Sequence, residues 1–129
     1  MLDICSIIED NIFDSVFLIA SFHHLEALDE REKMMQNIYN ILETWWRVYM
    51  THWALESAYN KEKYSSSKII DSKNMFWSTD FNIKFWEFAR YYHCFDLSEL
   101  EYLAKSAWFT IIENRIFKGE RNMISILEK

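Results

Sequence analysis

Glycine and proline are nearly missing from this chain. Its 129 residues hold one glycine, Gly119, and no proline, where average usage would give roughly nine and six. That excludes an interdomain linker of the usual composition, and no internal repeat is present. Cysteine is scarce too. Cys5 and Cys94 stand far apart, outside any CxxC or Cys/His spacing, and read as two reduced thiols rather than a metal site or a disulfide. No apolar run approaches the roughly 20 residues of a membrane span, and no signal peptide opens the chain. Positive charge is in deficit: 14 Lys and Arg against 20 Asp and Glu leave a formal charge of −6. This argues against a stand-alone nucleic-acid binder, though not against one local basic pocket. The expectation is a soluble cytoplasmic protein of one domain, with half its residues hydrophobic.

Tryptophan, by contrast, is abundant, and two of the six adjoin in ILETWWRVYM, residues 41–50. The preceding LDEREKMMQNIYNILE predicts a helix over 28–43. Leu28, Met35, Ile38 and Leu42 recur at helical spacing, and the run Asp29-Glu30-Arg31-Glu32-Lys33 reads as a solvated face. RVYMTHWAL predicts a buried strand over 47–54. A helix that feeds a strand usually needs a left-handed residue past its end, and glycine serves because it has no Cβ. Any other residue there costs roughly 1–2 kcal/mol. Trp45 and Trp46 stand where that residue is wanted.

FDSVFLIAS, residues 13–21, reads as a parallel strand covered on both faces. Residues 56–95, polar and then aromatic, read as a long binding loop or lid. DLSELEYLAKSAW, residues 96–108, predicts a helix with Asp96 as N-cap and Glu99 completing a capping box. FTIIENRIF (109–117) and RNMISILEK (121–129) are strands joined at KGE. The order is α/β: a strand-helix-strand start implies a right-handed crossover and parallel pairing, and the hairpin adds an antiparallel strand.

This arrangement resembles the C-terminal half of a class I S-adenosylmethionine-dependent methyltransferase, a Rossmann-like sheet ending in such a hairpin. FDSVFLIASFHHL looks like that family's fourth strand. RYYHCFDLSELEYLAKSAWFTIIENRIF is similar to the methyltransferases that esterify carboxymethyl-type wobble uridines of tRNA. The resemblance implies a strand order of 13–21, 47–54, 121–129, 109–117, with the first two parallel and the outer edge of 13–21 bare. It also implies that residues 1–129 are a partial domain, with 56–95 a substrate-side insertion. The family's glycine-rich cofactor turn is not among these residues, so the chain alone is expected to bind S-adenosylmethionine poorly and to be inactive.

In that family the turn after the helix is ordinarily Gly-Gly, where this chain has Trp45-Trp46, and the later helix ends in Ala-Gly-Phe, where it has Trp108. Trp77 and Trp86 also sit where a loop glycine reads naturally; Trp53, at a strand end, does not. The pattern is what results when UGA codons that specify glycine in the cell are translated as tryptophan. An aromatic-rich natural or engineered protein is the alternative.

Arg90, Tyr91, Tyr92 and His93 form the sharpest constellation. In the enzymes resembled, the nucleophile is a carboxylate, already ionised at pH 7, so methyl transfer needs positioning rather than a base. Arg90 is the expected carboxylate clamp, with Tyr92 and His93 orienting the substrate or the loop. Trp53 and Tyr91 are candidate substrate contacts. His23 and His24 follow a strand at its C-terminal end, where open α/β sheets place ligands, and are candidate cofactor contacts together with Asp3 or Asp10. The plainer readings are a Tyr91 packed in the core, an Arg90 paired with Glu87 or Asp96, and histidines that cap backbone groups.

Three functions follow: a methyltransferase fragment acting on tRNA, with an accessory subunit as possible partner; a methyltransferase acting on a small carboxylate or hydroxyl; or a non-catalytic binding module.

Overall fold

The computed structural model describes residues 9–70 and 75–129. Cys5 and Asp3 lie outside them. Four strands form the main sheet: β1 (Phe13–Ile19), β2 (Leu42–Trp53), β5 (Thr110–Ile116) and β6 (Asn122–Glu128), in the spatial order β1-β2-β6-β5. β1 runs parallel to β2, and β6 lies antiparallel between β2 and β5, as the resemblance implies. Helix α1 (Leu28–Ile41) makes the crossover, and α3 (Leu97–Ser106) precedes the final hairpin.

Alternation decides which face is covered. Val48, Met50 and His52 of β2, with Met123 and Leu127 of β6, point to one side and are nearly inaccessible. Met35 and Ile38 of α1 and Leu100, Leu103 and Ala104 of α3 join them in one core. The β1 residues between are left open: Phe17 stays 64% exposed and Ile19 61%. Strand 13–21 is therefore covered on one face only, and its outer edge is unpaired among the described residues.

Three expectations need correction. The segment 56–95 is not an irregular loop. It holds a short helix, α2 (Lys61–Tyr64), and a hairpin, β3 (Thr79–Phe85) with β4 (Phe88–Cys94). The aromatic and β-branched residues there form a second small sheet, whose Phe81, Ile83 and Tyr92 enter the core.

The helix-to-strand junction is also different. The C-cap of α1 is Leu42 in extended conformation. The left-handed residue comes later, inside β2, where Trp45 has φ 73°. Phe13 pairs with Leu42 and Ser15 with Arg47, so Glu43 to Trp46 bulge from the ladder. The Trp45 amide donates to the Lys129 carbonyl, and the Lys129 amide to that of Trp46, which ties the bulge to the chain end.

Asp96 does cap α3, its side chain accepting from the Ser98 amide. Glu99 does not complete a capping box, because the Asp96 amide donates instead to Ser78 Oγ.

Candidate functional site

β1 ends in a left-handed Ala20 (φ 49°) and turns through a short 3-10 segment, Phe22–His24. This carries His23 and His24 over the C-terminal end of the sheet. The Trp53 amide donates to His23 Nδ1 at 3.4 Å, so the proton of the neutral ring sits on Nε2, which has no hydrogen-bond partner among the described residues. Burial, with His24 and His93 adding to it, lowers His23 to a pKa of about 3. His24 Nδ1 lies 2.9 Å from the Tyr91 carbonyl. A carbonyl only accepts, so this nitrogen carries a proton.

Tyr92 of β4 completes the group. Its ring stacks on Trp53 with centroids 4.8 Å apart and meets His24 edge-on at 4.5 Å and His23 at 5.0 Å. Burial raises the Tyr92 phenol, and the positive charge of the Arg90 guanidinium works the other way. Arg90 is exposed. Among the described residues it pairs with neither Glu87 nor Asp96, contrary to the plainer reading of its sequence neighbourhood. The structure thus brings together His23, His24, Trp53, Tyr92 and, at the rim, Arg90. They form an aromatic wall with one cation at the end of the sheet where ligands bind in open α/β folds.

The strand pleat splits the RYYH motif, since alternate residues face opposite sides. Tyr91 and His93 point away from this wall into a buried polar network. His93 Nδ1 lies 2.7 Å from Asp80 Oδ1, and Nε2 lies 2.8 Å from Glu99 Oε2. Tyr91 donates its hydroxyl proton to Asp80. Glu99 also accepts from Ser78 and faces Arg31 Nε at 3.1 Å, an ion contact whose angle is poor for a hydrogen bond. Burial alone would lower the pKa of His93, but the hydrogen bonds its ring donates to Asp80 and Glu99 outweigh it, and the net shift is upward. Burial likewise opposes Glu99 ionisation, yet His93, Ser78 and Arg31 hold its carboxyl below the usual range.

With both ring nitrogens engaged, His93 braces the hairpin and does not join the wall of His23, His24, Trp53 and Tyr92. Arg31, read as part of a solvated face, is buried instead: its Nη1 donates to the carbonyls of Leu25 and Glu26. Sequence reasoning missed Arg31, Asp80 and Glu99. One signal was present: Arg31 falls one helical turn before Met35, on the apolar stripe.

Asp10 does not join His23 and His24. It precedes β1, whose seven residues separate the two ends by roughly 20 Å. Cys94 is a buried free thiol, its pKa raised chiefly by burial. Among the described residues no cluster of His, Cys, Asp and Glu could hold a metal, and no helix is long and apolar enough to cross a membrane.

This is the fold of the C-terminal half of a Rossmann-like methyltransferase sheet, and the solved structures it is similar to share that architecture. An S-adenosylmethionine-dependent methyltransferase from Methanosarcina mazei superposes with TM-score 0.67 at 15% identity, over 94% of this chain and 59% of that one. A protein from Pyrococcus horikoshii OT3 gives 0.68 at 21%, over 93% and 53%. A Burkholderia thailandensis 1,6-didemethyltoxoflavin-N1-methyltransferase, solved with bound 1,6-didemethyltoxoflavin and S-adenosylhomocysteine, gives 0.62 at 16%, over 93% and 45%. The chain spans about half the length of these structures. No protein-family model and no curated protein matches it.

Proposed function

We propose that this chain is the substrate-side half of an S-adenosylmethionine-dependent methyltransferase. The observation that carries the reading is the convergence of His23, His24, Trp53, Tyr92 and Arg90 at the C-terminal ends of β1 and β2. The residues present fit a ligand there in part: His23 Nε2 is a buried donor with no partner among the described residues, and aromatic rings wall one side. His23 and His24 are the residues of this chain that would face the cofactor. Bound S-adenosylmethionine supplies an electrophilic methyl group on sulfur. The chain's own residues orient the acceptor and keep water away from it.

The favoured acceptor is a carboxylate on a modified wobble uridine of tRNA, supported by the likeness of the RYYH segment and by an exposed Arg90 without a carboxylate partner among the described residues. Arg90 clamps the carboxylate, the Tyr92 hydroxyl holds the guanidinium, and Trp53 or Tyr92 stacks on the base. An accessory subunit would supply further RNA affinity. The net charge of −6 favours a second reading, a small-molecule carboxylate acceptor. Single-turnover methylation by the complete enzyme, with carboxymethyl-uridine tRNA and with small carboxylates, separates the two. Absence of methyl transfer to either would overturn both carboxylate readings and leave a small hydroxyl acceptor or the binding module.

We also propose that Trp45, Trp46, Trp77, Trp86 and Trp108 are glycines in the cell. Trp45, Trp86 and Trp108 have φ of 73°, 56° and 71°, the left-handed region that glycine favours. Trp86 opens a two-residue hairpin turn between paired Phe85 and Phe88. Positive φ at the first position alone is the pattern of a type II′ turn, where glycine is usual. Trp108 closes α3: its amide donates to the Lys105 carbonyl and that of Phe109 to Ala104, a Schellman motif with tryptophan in the glycine place. All five indoles are exposed, from 46% at Trp46 to 102% at Trp86. The codons test it: UGA at all five supports the reading, and UGG there would sink it.

A further inference from the structure

A second cleft lies beside the aromatic wall. Trp53, Tyr59, Lys63, Tyr64, Arg121 and Asn122 line about 260 Å³ at the ligand end of the sheet. Two backbone-anchored arms build it. Asn60 Nδ2 donates to the carbonyls of Ala54 and Arg121, at 2.9 and 3.1 Å, and the Ala54 amide donates to the Arg121 carbonyl. The start of β6 is thereby fixed against the segment leading into α2.

Two cations flank the cleft. Arg121 lies over the Tyr59 ring at 4.7 Å, and Lys63 over Tyr64 at 5.0 Å. Neither forms an ion pair among the described residues, although Glu62 and Glu120 adjoin them in sequence. In a chain of net charge −6, cations left without carboxylates beside an aromatic row mark a place for an anion with a π-face. Trp53 shares one edge with this cleft and its ring face with Tyr92, and Tyr64 lies 6.2 Å from Trp53. The rings therefore run continuously from Arg90 to Arg121.

We infer that this cleft binds a nucleotide, with the base against the Trp53 and Tyr64 rings and the phosphate between Lys63 and Arg121. Its volume is at the small end of ligand pockets, so it takes one nucleotide, from solution or from a single-stranded stretch of RNA. The inference deepens the tRNA reading above and rests on it: the nucleotide held here neighbours the one presented to Arg90.

The test is fluorescence anisotropy of a labelled penta-uridylate titrated with the 129-residue chain at two salt concentrations, with uridine monophosphate and inorganic pyrophosphate as competitors. Lys63→Gln and Arg121→Gln, both at exposed positions, should each weaken binding about tenfold, and the double variant should lower the salt slope by about 1–2. Lys105→Gln, on the far surface of α3, should leave it unchanged. Competition by uridine monophosphate identifies a free nucleotide as sufficient; competition by the oligonucleotide alone identifies an RNA strand. Binding that the double variant does not weaken, no binding at millimolar protein, or displacement by pyrophosphate as effective as by nucleotide would overturn the inference. Cofactor binding by the complete enzyme is measured apart, so failure of the methyltransferase reading stays distinguishable from failure of this one.

Discussion

Arg31 of α1 and Glu99 of α3 face each other at 3.1 Å with both side chains buried, and Glu99 passes the contact on to His93 of β4. One ionic chain thus joins two helices to the hairpin whose opposite face carries Tyr92 and Arg90. Such a network is expensive to break one member at a time, because the remaining charge stays buried without compensation.

Arg31→Met should therefore destabilise the chain by about 3–5 kcal/mol, read as a fall in the urea midpoint. A change within about 0.5 kcal/mol, the usual range for a surface substitution, would return Arg31 to the solvated face its neighbours suggest.

The histidines predict opposite pH limbs. His23 and His52 titrate at about 3 in the fold against 6.5 unfolded, burial being the main cause. Below pH 6.5 the unfolded chain binds protons that the folded chain refuses, so stability falls from pH 6.5 toward 3. At pH 5 each ring should already have cost roughly 2 kcal/mol. His93 is raised, so its contribution is full below pH 6.5 and is lost as pH rises through its folded value. His52 is fully buried with both ring nitrogens lacking partners among the described residues. His52→Phe should flatten the acid limb by about half and leave the alkaline limb unchanged. Urea midpoints at pH 5, 6.5 and 8 measure both limbs.

Glycine at Trp45, Trp86 and Trp108 should raise the melting midpoint, each relieving roughly 1 kcal/mol or more of left-handed strain. The indoles lost are 79%, 102% and 77% exposed, so little burial opposes the gain. Trp46 and Trp77 have no positive φ, and glycine there should bring no gain. A lower midpoint for the triple variant would contradict the strain argument.

Arg90→Lys in the complete enzyme keeps the charge and removes the bidentate fork. Misplacing a nucleophile by about 1 Å costs on the order of a hundredfold, so single-turnover methylation should fall by about that factor while S-adenosylmethionine affinity holds. Unchanged turnover in a folded variant would remove Arg90 from the site.

The sheet was legible in the sequence because its signals are local. The apolar run before His23, the alternation in residues 47–54 and 121–129, the Asp96 cap and the Gly119 turn each act within a few residues, and right-handed crossover joins them one way. The hairpin β3–β4 was hidden because its two-residue turn, Trp86-Glu87, holds neither glycine nor asparagine, so the strongest short-range hairpin signal was missing.

The site was half legible. The order of elements, together with the family resemblance, put His23, His24 and Trp53 at the C-terminal end of a parallel pair. Tertiary packing decided the rest. RYYH reads as four neighbours, but the pleat sends Arg90 and Tyr92 to one side and Tyr91 and His93 to the other. The charge run around Arg31 reads as solvated, but α3 brings Glu99 to it from 68 residues away in the chain, and the hairpin brings His93 to Glu99. Which polar residues are buried depends on partners distant in sequence, and no local pattern encodes them.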